Sequence, residues 1–298
     1  MTSSLDQFIQ REIRKISLLS PNTARLLGLN SDPDHSLQDV IDLVKLDSAL
    51  TARTLRIVNS AAFCPLVPIN SIERAVAYLG EKMIVGIAVA ESCGKMFNQP
   101  LEGYESKAGD LWKHDLFTAF AAKEVAKYAK NGIEADLAFT AGLLHDIGKP
   151  VLSKLLEKAS GTTIDALDQG TAEDYLAAEK LVSGAEHSEV GYELAKYWQL
   201  PEPIVAAIRY HHHPFRASEE LQQLVYAVHL GDIIAMMSGY STGSDSLQYT
   251  LDSRYEIFFN ISSTELTKII SDTDSAFRPA IESLGGKGEN EDATCSNC

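Results

Sequence analysis

The sequence predicts an all-α protein, and three observations carry that prediction. Apolar residues recur at three- and four-residue intervals in segment after segment. Strand-type alternation is scarce, and no internal repeat is present. The breaks between segments carry helix-start and helix-stop chemistry, with Ser, Asp, Asn, Gly and Pro at the junctions.

Taken in order, "DHSLQDVIDLVKLDSALTARTLRIVNSA" reads as two helices. Ser36 caps the first, whose inner face is Leu37, Val40, Ile41 and Val44. Asp47 caps the second, with Leu50, Ile57 and Val58 inside. "NSDPDHS" and "FCPLVPIN" are loops. In "PINSIERAVAYLG", Asn70 is the expected cap and Glu73 completes a capping-box pattern. Ile72, Ala75, Val76 and Leu79 form one face there, and Gly80 stops the helix. "FNQPLEGYESKAG", residues 97–109, interrupts the helices and marks a boundary.

A second block opens near Asp110 with "DLWKHDLFTAFAAKEVAKYAK", where Leu116, Phe117, Phe120 and Val125 share helical spacing. "IEADLAFTAGLLHDIG" follows the Asn131-Gly132 turn, and "KPVLSKLLEKAS" has Pro150 at the expected first helical position. "TAEDYLAAEKLVSG", "EHSEVGYELAKYWQL", "PEPIVAAIRYHHHP" (opened by Pro201) and "ELQQLVYAVHLGDIIAMM" are further helices. Residues 157–171 and 239–250 read as polar loops, and 285–298 as a disordered tail. The expected organisation is an N-terminal helical bundle, 1–105, packed on a helical domain, 106–284.

With 45% hydrophobic and 22% charged residues, 298 positions bury a core without cross-links. The net charge of −15, without a Lys/Arg run, argues against nucleic acid or an anionic membrane as partner. No apolar run reaches the roughly 20 residues of a membrane span, and "MTSSLDQFIQREIRK" lacks a signal-peptide core. Cys64 and Cys93 read as buried thiols, whereas Cys295 and Cys298 form a lone C-x-x-C without a second pair to complete a metal site. A reducing, cytoplasmic setting is expected.

Of eight histidines, seven fall between His114 and His229. His114 stands near the start of one helix, and His145 and Asp146 end another. His187 opens a third, and His211, His212 and His213 end a fourth. Asp232 interrupts a strongly apolar helix, where a carboxylate needs a partner or a metal. The alternative is that Gly231 breaks that helix and Asp232 caps the next segment. Imidazole nitrogen and carboxylate oxygen together suit a divalent ion, so His114, His145, Asp146 and Asp232 are candidate ligands. His187, His211 and His212 are candidates for a second position, with Asp146 shared between two ions. Their alternatives are a surface residue at a helix start for His187, and side chains complementing a helix C-terminus for His211–His213. Three consecutive side chains cannot all face one pocket, which disfavours His213. His229, three residues before Asp232, reads as a hydrogen-bonded core histidine. Lys149, one turn after Asp146, is placed either to hold a phosphate oxygen or as an exposed lysine near a helix end.

These residues resemble the HD superfamily, most specifically through "LLHDIGK" with His114 upstream and Asp232 downstream. The chain is more closely similar to the HDOD branch. "LDSALTARTLRIVNSA", "SIERAVAYLG" and "AEHSEVGYELAKYWQLPEPIVAAIRYHHHP" resemble that family's successive signatures, so the likeness spans nearly everything but the tail. The resemblance implies an HD-type helical domain, a role in bacterial signalling with protein partners, and a metal quartet of His114, His145, Asp146 and Asp232. It implies one or two divalent ions (Fe, Mn, Ni or Zn). Should the centre be active, it implies phosphohydrolase or phosphodiesterase chemistry on a nucleotide or cyclic dinucleotide, with Asp146 and Lys149 as catalytic groups. HDIGK, His187 and the paired histidines also resemble the HD-GYP branch, but "FRASEELQQ" stands where that branch has a Gly-rich D-G-x-G-Y-P segment.

Overall fold

The computed structural model describes residues 4–284 except 17–20, 30–34, 60–62, 64, 93, 160–161 and 247. All four cysteines and the expected tail therefore lie outside the described residues. Among the described residues there is no strand, only two isolated bridges, Leu101 with Ser106 and Ala129 with Phe259.

The N-terminal part comprises α1 (Ser4–Ile16), α2 (Pro21–Leu29), α3 (Leu37–Lys45), α4 (Ser48–Val58), α5 (Ile72–Leu79), α6 (Glu81–Ser92) and the short α7 (Gly94–Phe97). The remainder comprises α8 (Asp110–Ala126), α9 (Ala135–Leu144), α10 (Lys149–Leu156), α11 (Thr163–Asp168), α12 (Tyr175–Ser183), α13 (His187–Tyr197), α14 (Glu202–Tyr210), α15 (Glu219–Met237) and α16 (Ser263–Leu284).

Local chemistry explains most of these boundaries. Ser36 caps α3 in a capping box with Asp39, and Asp47 accepts from the Ala49 and Leu50 amides at the start of α4. The cap of α5 is Ser71, one residue beyond the expected Asn70, because the Ser71 hydroxyl reaches the Arg74 amide. Leu37 is 45% exposed, contrary to expectation. The buried stripe of α3 is Val40, Ile41, Leu43 and Val44, which turns its first residue to solvent. Pro150 is the second residue of α10, not the first, since Lys149 already begins the helix. The expected loop at 157–171 contains α11, nucleated by a capping box between Thr162 and Asp165. Residues 102–104 form a 3-10 turn inside the interrupted stretch after α7.

Six helices, α1, α2, α6, α7, α11 and α16, are absent from the sequence reading, and α6 and α16 are so for opposite reasons. α6 is buried at every position from Met83 to Val89, so no polar face gives it a helical period. α16 is polar and contains Pro279, yet Ile269, Thr273, Phe277 and Ala280 make a buried stripe. It packs on α8 and α4.

α8 is the axis of the second block, with α9, α15 and α16 against it. Small residues permit that packing. A Cβ on Gly142 of α9 would lie 2.9 Å from the Ala119 Cα, and one on Gly231 of α15 would lie 2.9 Å from the Ala122 nitrogen. The two helices thus approach the alanine-rich α8 backbone to backbone, and the His and Asp side chains they carry converge. α15 runs unbroken through Gly231, so Asp232 caps nothing. One buried apolar cluster extends from Ile9 to Ala280.

The described residues between Tyr240 and Asp252 form a strap over the ends of these helices. The Tyr240 ring lies 4.6 Å from Phe117 and 4.7 Å from Phe277, between α8 and α16. Gly243, at φ +81°, passes so close to Tyr104 that a Cβ would be 2.2 Å from its carbonyl oxygen. None of the described helices is long and apolar enough to cross a membrane.

Candidate metal centre

Two groups of side chains meet across Asp146. Its Oδ2 lies 3.5 Å from His114 Nε2 and 3.5 Å from His145 Nε2, while Asp232 Oδ1 lies 3.3 Å from His114 Nε2. Its Oδ1 lies 3.3 Å from His187 Nε2 and 3.6 Å from His211 Nε2. His212 Nε2 is 3.0 Å from His187 Nε2. All seven sequence-predicted ligands therefore come together, from α8, the turn after α9, the start of α13, the turn after α14, and α15. His213 is apart from them on the surface side and lines a cleft instead.

Four of the five imidazoles are fixed from behind; His212 Nδ1 is buried without a hydrogen bond. Nδ1–H donates to the Tyr240 carbonyl from His114 (3.0 Å), to the Gly142 carbonyl from His145 (2.8 Å) and to the Ile208 carbonyl from His211 (2.9 Å). His187 Nδ1 sits 2.9 Å from both oxygens of Glu179. Each of these four rings therefore presents an Nε2 lone pair inward. Those lone pairs face one another, at 3.3 Å for His114–His145 and 3.3 Å for His187–His211. Only a proton or a cation between them makes such contacts favourable. Both Asp146 oxygens and Asp232 Oδ2 are buried without an aligned hydrogen bond. The Lys149 ammonium is 2.5 Å from Asp146 Oδ2, but off the direction a hydrogen bond requires. Converging neutral nitrogens with under-satisfied carboxylate oxygens are the donor set of a divalent cation. Asp146, His187, His211 and His212 bring donor atoms within 4.8 Å of one another, as do His114, Asp115, His145 and Asp146; Asp232 Oδ1 adjoins the latter group, 3.3 Å from His114 and 3.9 Å from His145.

The charge pattern agrees. Burial opposes the Asp146 charge, but the nearby His145, Lys149 and His187 hold its pKa well below the carboxylate range. Burial likewise opposes charge on His187, yet Glu179 and Asp146 raise it to about 10. Burial also works against His114, and Asp232 raises it. Burial pushes His145, His211 and His212 down.

Lys149 is buried, which excludes the exposed-lysine reading. Its ammonium lies 2.5 Å from Asp245 Oδ2 and 3.2 Å from Thr242 Oγ1. His229 is the hydrogen-bonded core residue expected: Nδ1–H donates to the His211 carbonyl, and Nε2 accepts from the Asp252 amide.

Three residues escaped the sequence reading. Glu179 is fully buried and accepts from His187 Nδ1–H, the His187 amide and the Tyr104 hydroxyl. Asp115 is buried with neither oxygen hydrogen-bonded, 3.7 Å from His145 Nδ1. Burial, reinforced by the Asp146 charge, holds its pKa well above the carboxylate range. Asp245 is the third. The signal for Asp115 is "KHDLF", a second His-Asp pair in an apolar helix; Glu179 and Asp245 carry none.

An all-helical scaffold that gathers histidines and aspartates from separate helices around one shared carboxylate is the build of an HD-type protein. The HDOD domain model matches residues 16–214, and the chain belongs to that family. The chain is 26% identical over 275 residues to an uncharacterized protein of Treponema pallidum (strain Nichols), covering 91% of this chain and 51% of that one. It therefore spans about half the length of the curated relative it matches. Among solved structures, an HDOD domain protein of unknown function from Geobacter sulfurreducens superposes with TM-score 0.61 at 24% identity, over 93% of this chain and 92% of that one. A Shewanella amazonensis SB2B protein provisionally named a phosphohydrolase gives 0.69 at 22%, over 93% and 98%. A Marinobacter aquaeolei VT8 protein provisionally named for signal transduction gives 0.70 at 18%, over 95% and 62%. These three likenesses establish the fold.

Proposed function

We propose that this chain is an HDOD-type regulatory protein of bacterial signalling that holds divalent metal, one or two ions, in an HD-like centre. The observation that carries the reading is the two-faced Asp146, with one oxygen toward each group of imidazoles. The ligands are His114, His145, Asp146 and Asp232 for one ion, and Asp146, His187, His211 and His212 for the other. Protein partners in a signalling pathway receive the output. Elemental analysis after repletion with Fe, Mn, Ni or Zn tests this; less than one ion per chain would sink it.

The shared carboxylate favours a second reading, metal-dependent phosphohydrolysis of a nucleotide or cyclic dinucleotide. Bound metal would supply Lewis acidity and an activated water there. Asp146 would hold the two cation positions in register, and Lys149 would take a phosphate oxygen. Incubation of metal-loaded protein with a nucleotide panel separates the readings: phosphate release or ring opening supports the enzyme, and no turnover with any metal supports the regulatory module.

A further inference from the structure

The centre is shut in this conformation. His114, His145, Asp146, His187, His211 and Asp232 are at most 1% exposed, and only His212, at 8%, reaches the surface. It does so at the floor of a cleft of about 360 Å³ lined by His212, His213, Tyr249, Asp174, Asp252 and Arg254. That volume is at the small end of the range for small-molecule sites, roughly 300–1,000 Å³. The Tyr249 ring stacks on His212 at 4.1 Å and separates the cleft from the buried groups behind it. There, Lys149 is held by three oxygens: Asp146 Oδ2, Asp245 Oδ2 and Thr242 Oγ1. Asp245 also accepts from the Tyr249 hydroxyl at 3.3 Å and from the Thr242 amide at 3.1 Å.

Asp245 is a second carboxylate on Lys149. Asp146 already faces Lys149, and Asp232 lies in the same buried pocket. A second carboxylate on one ammonium adds a buried negative charge where acids are already crowded. It sits, however, where an external oxyanion would dock on Lys149, and it is carried by the strap rather than by a long helix.

We propose that Asp245 is a built-in anion occupying the phosphate position on Lys149, and that a small phosphate-bearing ligand entering by this cleft displaces it together with Tyr249. The proposal rests on the reading of Lys149 as the phosphate-holding group of the metal centre. It gives that centre a closed state, relieved by ligand.

The test is calorimetric titration of the metal-replete, desalted full chain with inorganic phosphate, with metal content measured on the same samples. Asp245→Asn keeps the side-chain shape and removes the competing charge. It is expected to bind phosphate about ten- to hundredfold more tightly than the unaltered chain, the scale of one hydrogen bond to a charged group. Adding Lys149→Met must abolish that gain. Unchanged or weaker binding by Asp245→Asn overturns the proposal, as does a gain that survives Lys149→Met. Should Asp245→Asn not fold, Tyr249→Phe serves: loss of its bond to Asp245 is expected to tighten phosphate binding two- to fivefold, and an unmoved affinity overturns the proposal. Metal present without the phosphate effect sinks this inference and leaves the metal centre standing. Metal absent sinks the metal centre, while the Lys149-dependent gain is still read.

Discussion

Replacing Glu179 by Gln isolates one half of the proposed metal centre. In the native chain the Glu179 carboxylate takes His187 Nδ1–H at 2.9 Å, the His187 amide at 2.9 Å and the Tyr104 hydroxyl at 2.7 Å. It fixes the ring with Nε2 toward Asp146 and makes that nitrogen more basic. A carboxamide keeps the shape but has one oxygen for three donors, so at least one donor faces an NH₂. Losing such a partner behind a metal-bound histidine typically costs 10- to 100-fold in metal affinity, about 1.4–2.8 kcal/mol. The loss should fall on the His187–His211–His212 position and spare the His114–His145–Asp232 position. Competition with a chelator of known affinity, read together with stoichiometry, resolves the two: the second ion should leave first and at lower chelator concentration. The mismatched donor should also lower folding stability by about 1–3 kcal/mol, seen in a urea melt. Equal weakening of both ions, or of neither, would refute the assignment of Glu179 to His187.

Asp146→Ala should abolish binding of both ions while far-ultraviolet circular dichroism stays helical; retained metal would mean the ligands are misassigned. Stripping metal should lower the melting temperature, because an ion at a hundredfold excess over Kd stabilises by about 2.7 kcal/mol. In the metal-free chain His187 is raised to about 10, so its contribution is full below the unfolded histidine pKa and is lost as pH rises toward about 10. Metal-free protein should therefore lose stability across pH 7–10, and His187→Gln should flatten that slope. Gly142→Val pushes side chain into the Ala119 backbone, and urea denaturation should show a loss of at least about 1–3 kcal/mol.

Much of this site could be read from the chain because its ligands are polar residues in places that physics reserves for apolar ones. Asp232 inside "VHLGDIIAMM" and His145-Asp146 ending "AFTAGLL" stand out against their neighbours. Glu179 does not, since "AAEKLV" looks like any amphipathic helix, and only the fold turns that glutamate inward to His187. Lys149 was legible as a site residue, but not as the centre of an ion triad, because Asp245 lies 96 positions away. In the fold, periodicity found the helices with one wet face. It passed over the N-terminal α1 and α2, α6, which has no wet face, and α16, whose serines, threonines and Pro279 read as loop. Asn70 and Ser71 are both competent caps, and backbone geometry alone chose between them.

Tyr240 links two kinds of structure in a single residue. Its carbonyl holds His114 at one ion position, while its ring is wedged between Phe117 and Phe277. A shift of this residue could not remain a private event of the pocket: the imidazole would lose its anchor and the C-terminal helix its wedge in the same movement. The seating of α16 on α8 and the aim of His114 are thereby tied to one short stretch of backbone.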